Sequence, residues 1–124
     1  MTDFLANLKN RLSRKKKNRE VRFDDAGISI FEHDKLMSQV AWTSILEIFA
    51  YKEDRFTFDD ICLGFRFDAD GTYWMISEDY IGYQELLDEL KRRYDGIRTD
   101  WFSEVAFPAF AANRTTLWGE SWDS

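Results

Sequence analysis

Ile61-Cys62-Leu63-Gly64-Phe65-Arg66-Phe67 sets Ile61, Leu63, Phe65 and Phe67 against Cys62, Gly64 and Arg66. That period of two places the large apolar residues on one face of a β-strand and the others on the opposite face. Only one face is strongly apolar, which points to an antiparallel sheet covering a core on one side. Downstream, Asp68-Ala69-Asp70-Gly71 turns the chain into a sixth strand, Thr72 to Ile76. Upstream, Ile45 to Lys52 forms the fourth strand, with apolar residues on both faces, and Glu53 to Asp59 reads as a polar loop between the two.

The pattern continues toward the N-terminus as a meander. Val21-Arg22-Phe23 leads through Asp25-Ala26-Gly27 into Ile28 to Phe31, His33-Asp34-Lys35 makes the next reversal, and Leu36 to Trp42 is the third strand. Beyond the sixth strand the period changes. Tyr83, Leu86, Leu87, Leu90 and Tyr94 fall on one stripe of a helix over residues 82–94, with Lys91, Arg92 and Arg93 at its C-terminal end and Gly96 as a stop. A short helix between Trp101 and Phe110, ended by Pro108, and a returning strand over Asn113 to Trp118 complete the expected elements.

The chain carries −6 overall, yet residues 1–20 hold seven cations (Lys9, Arg11, Arg14, Lys15, Lys16, Lys17, Arg19) against Asp3 and Glu20. That leader is +5, so the remainder is −11. Phe4, Leu5, Leu8 and Leu12 lie on one helical stripe, which makes the leader a basic amphipathic helix. The expected organisation is a leader and linker over 1–19, one domain over 20–118, and a mobile tail over 119–124. The expected fold class is α+β: a strongly bent antiparallel sheet or partly open barrel of six or seven strands, with the C-terminal amphipathic helix and the N-terminal basic helix. Pleckstrin-homology-like domains are built this way.

Val21 to Ile28, Trp42 to Ile45 and the Leu86-to-Leu90 helix together resemble small uncharacterised bacterial proteins with a Val-x-Phe-Asp-Asp-x-Gly-Ile start, a central Trp-x-x-Ile and a late Leu-Leu-x-x-Leu helix. The resemblance covers residues 20–118 and implies a pleckstrin-homology-like fold. Some small proteins of this kind are immunity proteins to bacterial toxins, so it also implies a neutralising role. The basic leader lies outside the matched segment.

Candidate chemistry is sparse. His33 is the single histidine and sits in a turn, and Cys62 is the single cysteine, out of phase with its apolar neighbours and read as a buried structural thiol. Asp68-Ala69-Asp70-Gly71 lacks the first and twelfth ligands of a calcium loop and reads as a turn. Asn113-Arg114-Thr115 has the glycosylation form, but no secretory peptide or membrane-spanning stretch accompanies it, and the default compartment is the cytoplasm. No metal, cofactor or catalytic residue is expected, a hydrolase using the paired acids of residues 53–60 being the least favoured reading. Glu53, Asp54, Asp59 and Asp60 flank Arg55-Phe56-Thr57-Phe58, an arrangement suited to a partner-binding loop made of Glu53, Asp54, Arg55, Phe56, Phe58, Asp59 and Asp60.

Two functions follow from the charge split. The first is a non-catalytic protein–protein interaction module, in its sharpest form a toxin-immunity protein whose acidic body covers a basic cleft. The alternative is a peripheral membrane protein whose basic leader, through Lys9, Arg11, Arg14, Lys15, Lys16, Lys17 and Arg19, meets anionic lipid. A nucleic-acid arm is disfavoured, because it would work against the −11 body.

Overall fold

The alternation at residues 61–67 becomes the inner strand of a sheet in the computed structural model, which describes residues 18–55, 58–106 and 114–122. In chain order the elements are β1 (Arg19–Phe23), β2 (Gly27–Glu32), β3 (Lys35–Ala41), a 3-10 turn at Trp42–Ser44, β4 (Glu47–Arg55), β5 (Phe58–Arg66), β6 (Tyr73–Ser77), α1 (Tyr83–Arg93), α2 (Phe102–Ala106) and β7 (Thr115–Gly119). The expected basic helix falls on residues outside those described.

The architecture differs from the expected bent sheet or partly open barrel, and with it from the pleckstrin-homology-like α+β class. The described residues are mostly β, in two separate antiparallel sheets ordered β1-β2-β3 and β6-β5-β4-β7, and neither closes into a barrel. The physical reason lies at β4. Its two edges are taken by β5 and by β7, so no ladder can form between β3 and β4. The break falls at the 3-10 turn, where the Trp42 ring is buried and its indole N–H donates to the Asp24 carbonyl at 2.7 Å.

One hydrophobic cluster joins the inner faces of both sheets to the helices. Ile61, Leu63 and Phe65 of β5 meet Ile48 and Ala50 of β4, Ile76 of β6, and Val21, Ile28, Ile30 and Val40 of the first sheet. Burying each such side chain contributes about 1.5–3 kcal/mol. Phe67, expected on this face, lies past the end of β5 and stays exposed.

Tyr83, Leu86, Leu90 and Tyr94 of the helical stripe enter the same cluster, with Leu87 packed at its margin. The helix begins at Gly82, which takes φ +89 with no side-chain cap. A Cβ there would stand 2.5 Å from the Val21 carbonyl oxygen, because β1 passes alongside with Val21 N–H donating to the Ile81 carbonyl and Ile81 N–H to that of Arg19. Both the conformation and the close approach call for glycine.

Candidate functional site

Register decides what shares the outer face of the four-stranded sheet. On β4 and β5 the pairs Glu47↔Arg66, Phe49↔Gly64, Tyr51↔Cys62 and Glu53↔Asp60 alternate with inward pairs, and Cys62 also opposes Ser77 of β6. This face therefore runs from a charged end at Glu47, across aromatics, to a second polar end at Asp60.

At the first end Glu47 is fully buried. Its Oε1 accepts N–H bonds from Arg66 Nε at 3.1 Å, Arg114 Nη2 at 2.9 Å and the Trp122 backbone at 3.2 Å, and Oε2 accepts from the Thr116 hydroxyl at 2.6 Å. Arg66 also donates to the carbonyls of Asp68 and Glu120. Burial alone pushes the Glu47 carboxyl up, but the bonds from Arg114, Thr116 and Arg66 outweigh it and hold the group below the usual carboxylate range. These bonds fasten residues 120–122, expected as part of a mobile tail, to the sheet.

In the middle of the face the Phe49 ring lies over Gly64, where a Cβ would stand 2.2 Å from it. The Arg114 guanidinium stacks 3.8 Å from the Phe49 centroid, and Tyr51 and Tyr73 pack against the same ring. Burial pushes the Tyr51 phenol far up, and its neighbours Cys62, Tyr73 and Glu53 add to that shift.

At the second end Asp60 is 1% exposed. Its Oδ1 accepts the Ser77 hydroxyl at 2.8 Å, and the Cys62 thiol, itself buried, lies 3.7 Å from Oδ2 and 3.8 Å from Glu53 Oε2. Glu78 Oε1 accepts the Ile61 N–H at 3.2 Å. One ligand atom from each of Glu53, Asp60 and Cys62 lies within 4.8 Å of the others. A tetrahedral zinc with bonds of 2.0–2.3 Å keeps its donors within about 3.8 Å of one another, so these side chains would have to close in to hold one. The Cys62 thiol donates toward both carboxylates, Asp60 Oδ2 and Glu53 Oε2.

The residues expected to form a partner-binding loop extend the ladder instead. Glu53, Asp54 and Arg55 finish β4, Phe58, Asp59 and Asp60 open β5, and Phe56 lies outside the described residues. The register sets Glu53 opposite Asp60, Asp54 opposite Asp59 and Arg55 opposite Phe58. Asp60 is thereby withdrawn under the hairpin, while Glu53 stays partly exposed. Of the basic set, Lys9, Arg11, Arg14, Lys15, Lys16 and Lys17 lie outside the described residues. Arg19 opens β1, and its Nη1 donates to the Tyr80 hydroxyl at 3.1 Å.

His33 sits with Asp34 in a two-residue hairpin turn, both at positive φ. Asp68 closes its own turn by accepting the N–H groups of Asp70 and Thr72, as a turn and not a calcium loop does.

Sequence reasoning missed the Glu47 cluster. The available signal was phase: Glu47 alternates with Phe49 and Tyr51, and Arg66 with Cys62 and Gly64, so both charges belonged to one face of adjacent strands. No protein-family model matches the chain, nor does any curated protein or solved structure, so the site itself carries the functional reading.

Proposed function

We propose that the chain is a non-catalytic interaction module that binds a basic protein surface through the acidic end of the β4–β5 hairpin, with toxin neutralisation as its sharpest form. The observation that supports this reading is the ladder pairing of Glu53 with Asp60 and Asp54 with Asp59. Like charges directly opposite on neighbouring strands repel, so the ladder gathers acidic residues at one end, where a cationic surface is attracted. A cationic surface laid against the hairpin end offsets the repulsion, and the −11 carried by residues 21–124 steers such a partner inward.

The test is co-purification from the producing cells, comparing the wild type with a Glu53→Lys, Asp54→Lys, Asp59→Lys variant; Asp60 is left alone because it is buried. The expected result is a basic protein that the wild type retains at low salt, releases at high salt, and that the variant does not retain. Equal retention by both proteins refutes the hairpin as the site. Phosphatidylserine vesicles assayed alongside separate this role from membrane binding by residues 1–19.

A further inference from the structure

Glu53, Asp60 and Cys62 bring two carboxylates and a thiol to one point at the polar end of the β4–β5 hairpin. The backbone fixes this: Asp60 and Cys62 stand two apart on β5 and share a face, and the register sets Glu53 opposite Asp60. Asp60 and Cys62 are both buried, which separates the group from the solvated acids of an ordinary surface. Cys62 Sγ already lies 3.7 Å from Asp60 Oδ2 and 3.8 Å from Glu53 Oε2, the spacing of donors around a tetrahedral zinc. Only the two carboxylates, whose ligand atoms lie within 4.8 Å, have to approach, and Glu53 is the partly exposed one that can move. Two observations outside the three donors support a cation there. The Ser77 hydroxyl on β6 donates to Asp60 Oδ1 at 2.8 Å and leaves Oδ2 facing the thiol, as the outer hydrogen bond of a ligating carboxylate does. On the helix side the buried Tyr83 phenol is pushed up, first by burial and then by Glu78, Cys62 and Asp60, so acidic groups converge on one desolvated corner.

We propose that Glu53, Asp60 and Cys62 bind one zinc ion, with water completing the shell on the Glu53 side. The donors select the metal. A thiolate disfavours magnesium and calcium, which take oxygen shells, and two carboxylates disfavour copper(I), which takes sulfur. Coordination breaks the Cys62 S–H bond and forms an S–Zn bond; the proton, directed at the two carboxylates until then, leaves to solvent. The doubly positive ion also offsets the repulsion between Glu53 and Asp60 and so fastens the end of β4 to β5. This site goes beyond the interaction reading above and needs no partner protein.

The test titrates cobalt(II), a spectroscopic stand-in for zinc, into the full chain and then displaces it with zinc. The expected result is one equivalent of cobalt per chain with a thiolate-to-cobalt charge-transfer band in the near ultraviolet, removed by one equivalent of zinc and untouched by excess magnesium. Cys62→Ser should abolish the band. Ser77→Ala should weaken zinc about 10–100-fold by freeing the Asp60 carboxylate, and Glu53→Gln at least as much. Glu53 is partly exposed, so its variant stays folded, as circular dichroism checks, and keeps the test decisive if Cys62→Ser does not fold. Absence of the thiolate band, or equal zinc affinity in wild type and Glu53→Gln, overturns the site. Zinc bound without the band belongs to the surface acids and overturns it too, as does half an equivalent per chain, which places the ion between two copies.

Discussion

Replacing Glu47 by glutamine keeps the shape of the side chain and removes its charge. The carboxylate holds four donors, and Arg66, with a side chain only 10% exposed, has it as counterion. Breaking a buried ion pair from one side costs about 3–5 kcal/mol, because the remaining charge stays desolvated. Two features lower that figure here. The glutamine carbonyl still accepts one or two of the bonds, and Arg114, one-third exposed, recovers water. The expected loss is about 2–4 kcal/mol, a large share of the ~5–15 kcal/mol that holds a domain of this size.

Urea unfolding followed by tryptophan fluorescence measures it. With a slope of about 2 kcal/mol per molar, the middle of the usual range, the midpoint should fall by roughly 1–2 M at unchanged slope. The pH dependence supplies an independent check. The folded Glu47 carboxyl lies below its ordinary value, so its contribution is fully present above about pH 4.3 and is lost as pH falls through the folded-state pKa. The gap between wild type and Glu47→Gln should therefore narrow on acidification. A gap under about 0.5 kcal/mol at neutral pH, the size expected of an ordinary surface change, or a gap that widens in acid refutes the reasoning.

Gly82→Ala combines a positive φ with a clash against the Val21 carbonyl and should cost about 1–3 kcal/mol by thermal unfolding; an unchanged midpoint contradicts the close approach. His33→Asn places a residue that tolerates positive φ while leaving Asp34 and its bond to Arg22 in place, and should change stability by no more than about 0.5 kcal/mol, measured by the same assay; a larger loss counts against that turn. Cys62 is fully buried, so a thiol reagent should label it only after denaturant is added, and rapid labelling of the native protein contradicts that burial.

How much was legible from sequence depended on the range of the interaction. The β5 alternation and the 83–94 stripe are local periodicities, and both became elements whose apolar sides enter the core. The end of β4 was hidden because Glu53 to Asp59 has the composition of a loop, although the backbone pairs through Arg55 and Phe58. Lys52, the last residue of the expected fourth strand, continues the inward phase of Ile48 and Ala50, is 3% exposed, and donates to the Ala106 carbonyl at 3.0 Å. The split into two sheets depends on β7 occupying one edge of β4, a pairing between distant segments that no local pattern encodes. For the candidate site, phase placed Cys62 beside Arg66, but which acids oppose which followed only from the register.

The pairing of residues 47–50 with 115–119 also bears on biosynthesis. At ribosomal rates of about 5–20 residues per second, β7 emerges roughly 3–14 s after its partner positions on β4, whereas a hairpin such as β4–β5 zips in microseconds. A nascent chain therefore passes through an interval in which β5 is in place but the opposite edge of β4 stands open, with the Glu47 side chain still lacking Arg114 and Thr116. An unpaired edge of that length is a template for pairing with another chain. The interval between the emergence of β5 and that of Thr115–Gly119 is thus the window in which this edge is open to aggregation.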